Sequence, residues 1–226
     1  KPLDRVDVGS VVGEVVGPPR VVLGHVVARG VGHEEDLAHG LEEAEAAIAV
    51  TGGFEHLEGD AVVDVYGPLM GGTSESDFAH ASVARYKGVA RPSEVTSVLA
   101  EYDALLLPTY HDGEGYPGVI IEAFSVGMPV ICTRWRALPE IVDETCGLLV
   151  PPRDSDSLRE AMLKLMSDPG LFARLREGAA ARAPRFSSEY WSERFVEYCN
   201  EVVGRPCSCL ASVVRESGDA ARKSGS

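Results

Sequence analysis

Residues 111–124 read HDGEGYPGVIIEAF. A short apolar run, Ala104–Leu107, precedes them, and within the stretch three glycines give way to an apolar helical pattern. Two carboxylates stand on either side of that change, Glu114 in the turn and Glu122 eight residues on. Glu122 lies within the apolar run Val119–Phe124. A carboxylate placed there needs a partner or a wet cleft, because burying an unpaired charge is costly. Fold and chemistry are both to be read from this point.

On the N-terminal side, ALLLP is a strand without alternation, as expected when helices cover both faces of a sheet. Before it, AVVDVYG is a buried strand ending at Gly67-Pro68, GGTSESD a polar loop and VARYKG a second strand. EVTSVLAEY is a helix capped by Ser93, with Val95, Val98 and Leu99 on one face. On the C-terminal side, VIIEAFSVG is a helix stopped by Gly127 and Pro129. PVICT is then a strand, PEIV a short helix and GLLV a last strand. After Pro151-Pro152, Asp154 caps a helix that turns Leu158, Ala161, Met162, Leu165 and Met166 inward. Asp168-Pro169 opens another, and FSSEYWSERFVEYCNEVV is a long final helix. Strands alternating with helices in this way predict an α/β fold, a Rossmann-like parallel sheet with crossover helices. Such sheets bind ligands outside the carboxyl ends of their strands, and HDGEGYPG follows one of those ends.

These elements make residues 61–203 one domain, with a polar, frayed and disordered tail expected over 204–226. Residues 1–60 are atypical: twelve valines and twelve carboxylates accompany a single aromatic, Phe54. VVGEVVG and VVLGHVV have strand character, and LAHGLEEAEAAIAV spaces Leu37, Leu41, Ala44 and Ile48 as a helix does. The segment reads as a first strand and helix of the same domain. Its valine-rich monotony also fits a shifted reading frame or a truncated gene, in which case it does not copy the domain's usual sequence.

The glycine turn admits three readings. Gly113, Gly115 and Gly118 satisfy the dinucleotide fingerprint G-x-G-x-x-G. Its context is wrong for that, since Pro108 to Asp112 separate strand from glycine and Thr133-Arg134-Trp135-Arg136 stands where an acidic strand end belongs. The second reading is a tight turn with solvated glutamates, which glycine and proline do make. The third uses every residue. Free N–H groups at the start of the Pro117 helix favour a diphosphate, glycines let the backbone approach it, and Glu122 accepts hydrogen bonds from a ribose diol. Glu114 then faces whatever extends beyond the diphosphate, which describes a nucleotide-sugar pocket.

Here the chain resembles the C-terminal, donor-binding half of family 4 retaining glycosyltransferases of the GT-B fold, the glycosyl transferases of group 1. Their E-x7-E motif stands as Glu114-Gly115-Tyr116-Pro117-Gly118-Val119-Ile120-Ile121-Glu122, with YKGV, ALLLPT, EAFSVGMPVICT, LPEIV and CGLLVPPRD in order around it. The resemblance covers about residues 61–203. It implies transfer of a hexose from a nucleotide-sugar donor with retention of configuration, as in polysaccharide biosynthesis. It gives Glu114 the catalytic position beside the reacting carbon, Gly115, Tyr116, Pro117, Gly118 and Val119 the sugar and diphosphate, and Glu122 the ribose. Gly88 and Val89 would lie beside the base, and the final helix around Trp191 would cross toward the other half of the enzyme. No cofactor and no metal are implied. A glycan or lipid-linked acceptor would be held by an N-terminal domain missing from these residues. The family's G-R-x4-K-G pattern is altered to GHVVARGV, with His25 at the arginine position and Arg29 one residue before the lysine position. Arg29 is then the remaining diphosphate cation, donor binding is weakened, and the isolated chain is expected to be weak or inactive.

Charge and composition narrow the partners. The 226 residues carry a formal charge of −14, which repels nucleic acid and anionic lipid at long range. No apolar run approaches the roughly 18 residues that cross a bilayer, and KPLDRVDVGSVV lacks the order of a signal peptide. A cytoplasmic protein is expected, with the membrane periphery as its furthest reach. Cys132, Cys146, Cys199, Cys207 and Cys209 show no C-x-x-C spacing and read as reduced thiols rather than as a zinc site. His33 and His39 are six residues apart, about 600° of helix, and share no face. His111, beside Asp112 at the strand end, is either a pocket wall or plain loop; Arg134, Trp135 and Arg136 either border donor or acceptor or stack structurally. Two classes of function stay open: a glycosyltransferase of which this chain is the donor half, and a non-catalytic remnant or nucleotide-binding module acting through protein contacts.

Overall fold

A computed structural model describes residues 20–24, 62–68, 74–75 and 84–204. They fall in two compact units, one ending at Ala181 and the other beginning at Arg182. The first holds six strands: β1 (Arg20–Gly24), β2 (Val62–Tyr66), β3 (Ala84–Gly88), β4 (Ala104–Leu107), β5 (Val130–Thr133) and β6 (Gly147–Val150). Their order is β3-β2-β1-β4-β5-β6, and every pairing is parallel. This is the Rossmann-like α/β sheet that the alternating elements predict. The chain winds outward from β1 one way, then returns to pair β4 on β1's other side. Sheets that reverse in this way bind ligands outside the carboxyl ends of the strands that flank the reversal, here β1 and β4.

Burial follows from the two covered faces. All four β4 residues are buried, as are all four of β5, which explains why neither strand alternates. Ala104 and Leu106 share one cluster with Val63, Val65, Ile131 and Val150 of the sheet and with Leu158, Met162, Leu165, Leu171 and Leu175 of two helices. Leu105 and Leu107 alternate to the opposite face. There α1 (Val95–Leu99) packs with α2 (Gly118–Ser125), and α2 buries Ile120, Ala123 and Phe124 completely. Burying a side chain such as Phe124 contributes about 1.5–3 kcal/mol. At the β3 edge Arg85 and Lys87 face solvent, the charged blunting that keeps an open edge from pairing with another chain.

Helix ends mostly follow the sequence. Asp154 accepts from the Ser157 amide at 2.9 Å to cap α4 (Ser155–Ser167), and Asp168 accepts from the Leu171 amide at 2.9 Å at the head of α5 (Pro169–Arg182). A short α3 (Leu138–Ile141) lies between β5 and β6. One expectation fails: Ser93 does not cap α1. The N-cap is Glu94, with no side-chain cap bond, and Ser93 is exposed in the preceding turn. The Glu94 amide bonded to the Arg91 carbonyl at 2.8 Å and an Arg91–Glu94 ion pair at 2.5 Å close that turn instead.

β1 comes from the valine-rich segment, so part of VVLGHVV supplies the sheet's central strand. The strand expected over VVGEVVG, the helix over LAHGLEEAEAAIAV, and the tail after Gly204 lie outside the described residues. So do His25, Arg29, His33, His39, Cys207 and Cys209.

The described part of the second unit is a 3₁₀ turn, Ala183–Phe186, and α6 (Ser188–Val203). Ser187 accepts from the Tyr190 amide at 3.1 Å, and Gly204 ends the helix in the left-handed conformation at φ 66°. Trp191, Phe195, Tyr198 and Val202 recur at helical spacing and are exposed.

Candidate donor site at the carboxyl edge of the sheet

β4 ends at Leu107, and the chain then forms the turn quoted at the outset. Thr109 is buried and His111 half-buried. The Glu114 amide donates to the His111 carbonyl at 3.1 Å, which folds the turn back and leaves Glu114 half-buried. Gly113 lies against the His111 ring, so a Cβ there, 2.6 Å from the ring nitrogen, would displace that side chain. Gly115 and Gly118 differ: a Cβ on either meets nothing within 4 Å, so both face open space. Pro117 is buried and extended at φ −65°, ψ 125°, and starts α2 without a side-chain cap. The N–H groups of a first helical turn lack intrahelical acceptors and favour an anion.

Glu122 lies in the second turn of α2 and is half-buried. Burial holds its carboxyl above the ordinary glutamate value. Tyr116 is 56% exposed, and its hydroxyl donates to Glu140 of α3 at 2.7 Å. That bond keeps the phenol above its ordinary value. Val119 is half-buried in the first turn of α2.

Gly88 ends β3 at φ 85°, a left-handed conformation suited to glycine, and Val89 beside it is 65% exposed. Both stand on the same carboxyl edge as Glu114. Three strand spacings separate β3 from β4, roughly 14 Å across the sheet. The fold thus gathers Glu114 through Glu122 at one place and sets Gly88 and Val89 apart along that edge.

Other neighbours of the turn come from the loop after β5. The Trp135 indole N–H donates to the His111 carbonyl at 2.8 Å, and Arg136 pairs with Asp112 at 2.7 Å. Buried Thr133 donates through its hydroxyl to the Thr109 carbonyl. Arg153, after β6, stacks over the Tyr110 ring at 4.5 Å. Sequence reading left Arg134, Trp135 and Arg136 between two roles, named Asp112 without giving it one, and missed Glu140 and Arg153. Beneath the edge, Cys132 is buried and its thiol is pushed up to about 12, chiefly by burial. Cys132, Cys146 and Cys199 are free thiols.

Among the described residues, no group of three or more His, Cys, Asp or Glu is arranged to hold a metal ion, and no helix is long and apolar enough to cross a membrane.

The chain has counterparts among known proteins. Residues 60–168 match the family model described as glycosyl transferases group 1. The chain is 30% identical over 137 residues to an MMP alpha-(1->4)-mannosyltransferase of Mycolicibacterium hassiacum, covering 59% of this chain and 32% of that protein. It is 36% identical over 134 residues to a D-inositol 3-phosphate glycosyltransferase of Streptomyces bingchenggensis, covering 53% and 29%. The structure of Anabaena HepE in complex with UDP-glucose superimposes with a TM-score of 0.62 at 15% identity, over 81% of this chain and 49% of that one. The chain thus spans about a third of these curated relatives and about half of that solved structure. Strand order and family match agree: residues 60–168 are similar to the glycosyl transferases of group 1, and the fold is shared with GT-B glycosyltransferases.

Proposed function

We propose that this chain is the donor half of a retaining glycosyltransferase, which moves a sugar from a nucleoside-diphosphate sugar to an acceptor. The observation that carries the proposal is the pairing of Glu114 and Glu122 across an uncapped helix start, at the carboxyl edge where the sheet reverses. In this reading the amides of Gly115 to Val119 receive the diphosphate, and Glu122 accepts from the ribose hydroxyls. Each such charge-assisted bond contributes about 1.5–3 kcal/mol. Glu114 meets the donor sugar near its reacting carbon, and Gly88 and Val89 flank the base. Charge develops on the diphosphate as the sugar leaves, and fixed dipoles aimed at it lower the barrier. The start of α2 provides such dipoles, and Arg29 adds one cation.

The UDP-glucose bound to HepE, a protein of the same fold, supports a nucleotide-sugar ligand. The names of the two curated relatives, a mannosyltransferase and a D-inositol 3-phosphate glycosyltransferase, support transfer of a sugar. The acceptor belongs to a further domain of the complete enzyme, and a cytoplasmic setting, at or near the membrane surface, goes with this reading. A thermal-shift panel with UDP, GDP, ADP and their sugars tests it on wild type and Glu122→Ala. A ligand at 100 times its Kd adds about 2.7 kcal/mol, roughly 5–10 °C for a chain of this size. A shift with one base, lost in Glu122→Ala, is expected. No shift with any ligand would refute the donor site.

A further inference from the structure

Four side-chain contacts join the loop after β4 to the stretch from the end of β5 into α3, residues 133–140, and all four have the same offset. Thr109 pairs with Thr133, His111 with Trp135, Asp112 with Arg136 and Tyr116 with Glu140, each 24 residues apart. The parallel ladder explains the regularity. Leu105, Leu106 and Leu107 face Val130, Ile131 and Cys132, an offset of 25, and the two chains leave the sheet side by side in the same direction. Beyond the strand ends the pairing continues through side chains, with a slip of one residue.

The His111 carbonyl is the hub. It accepts from the Glu114 amide at 3.1 Å, which forms the turn, and from the Trp135 indole at 2.8 Å, which ties that turn to β5. Arg136 adds the ion pair to Asp112 and lies over the Trp135 ring, 5.5 Å from its centroid. Its backbone is left-handed at φ 46°, unusual for a residue other than glycine. Such a conformation persists where surrounding contacts over-determine it. Here those contacts are the ion pair and the stacked indole.

We infer that the loop after β5 is a brace for the turn that carries Glu114, with Trp135 and Arg136 as positioning residues for the donor sugar. The inference rests on the donor-site reading above. The brace grips residues 109–116, ahead of α2, whereas Glu122 is fixed within α2 by the core. Loosening the brace therefore affects the sugar end of the ligand more than the nucleotide end, because Gly118, Val119 and Glu122 of the donor-site reading lie in α2, beyond its grip.

The test compares wild type with Trp135→Phe, Arg136→Ala and the charge-swapped double variant Asp112→Arg/Arg136→Asp. Calorimetry measures Kd for UDP, GDP and ADP and for UDP-glucose, GDP-mannose and ADP-glucose, and amide exchange is followed in the ligand-free proteins. Trp135→Phe and Arg136→Ala are expected to weaken the nucleotide sugar about tenfold, with the bare diphosphate within about twofold. The charge swap is expected to recover part of that loss. Exchange should quicken at the amides of residues 112–116 and stay unchanged in β4 and α2. Equal weakening of both ligand kinds, with faster exchange throughout, would show mere structural support and overturn the inference. Unchanged exchange at residues 112–116 would overturn the brace whatever binds. If wild type binds no nucleotide sugar, the donor-site reading falls, and the donor-positioning role falls with it; the exchange result then still decides whether the two loops are braced.

Discussion

The Tyr102 hydroxyl donates to the buried Asp64 carboxylate at 2.7 Å. Asp64 is 2% exposed, and Tyr66 brings its hydroxyl within 3.2 Å of that of Tyr102. Arg20 lies over the Tyr102 ring at 4.9 Å and reaches Asp64 at 3.8 Å. Burial first, then Tyr66 and Asp64, hold the Tyr102 phenol far above its ordinary range. Tyr102→Phe removes the donor and leaves a buried carboxylate short of a partner. The expected loss is about 1–3 kcal/mol, read as a lower urea midpoint at unchanged slope. A midpoint equal to wild type would contradict this role.

Glu122 sets stability against function. Its folded carboxyl titrates above the ordinary value of 4.5 because burial disfavours the charge. The folded state then binds more protons than the unfolded one across the window from about pH 4.5 up to that raised value. Stability relative to Glu122→Gln is highest below the window and falls as pH rises through it. At neutral pH Glu122→Gln should melt at a higher temperature than wild type and bind nucleotide worse. Parallel melting curves for the two proteins from pH 4 to pH 8 would refute the assignment.

Gly178 reverses an ordinary rule. Alanine normally strengthens a helix interior by about 1 kcal/mol over glycine. A Cβ at Gly178 of α5 would instead overlap the Thr145 carbonyl oxygen. Gly178→Ala is expected to destabilise by about 1–3 kcal/mol through overpacking. A stabilised variant in chemical denaturation would show that the helix and the Thr145 loop are not packed this closely.

The sheet was legible because β4 and β5 are short runs, apolar but for Thr133, that each adjoin a proline and do not alternate, as expected of a doubly covered strand. The E-x7-E turn was legible because Glu122 conflicts with its apolar surroundings. The Ser93 cap was misread, since serine before a helical pattern signals a cap only when the helix begins there, and the Arg91–Glu94 contact delays it. The ties from Trp135 and Arg136 to residues 111 and 112 could not be read along the chain. They depend on which strand lies beside β4, a consequence of sheet order rather than of local pattern.

Thiol chemistry checks the burial of the carboxyl edge from beneath. Cys132, with its thiol pushed up to about 12, and buried Cys146 should resist alkylation at pH 8 in the folded protein and react fully in denaturant. Peptide mapping by mass spectrometry reads each site separately. Rapid labelling of Cys132 under native conditions would mean that β5 is not covered as described.

Titration calorimetry of nucleoside diphosphates and their sugars into wild type, Glu122→Ala and Glu114→Gln tests the central claim most directly. Glu122→Ala should weaken diphosphate and nucleotide sugar alike by tenfold or more, as expected for losing bonds of about 1.5–3 kcal/mol. Glu114→Gln should leave the diphosphate unchanged and remove only the extra affinity of the sugar. Binding that ignores Glu122, or that is the same in all three proteins, would contradict a donor site between these two glutamates.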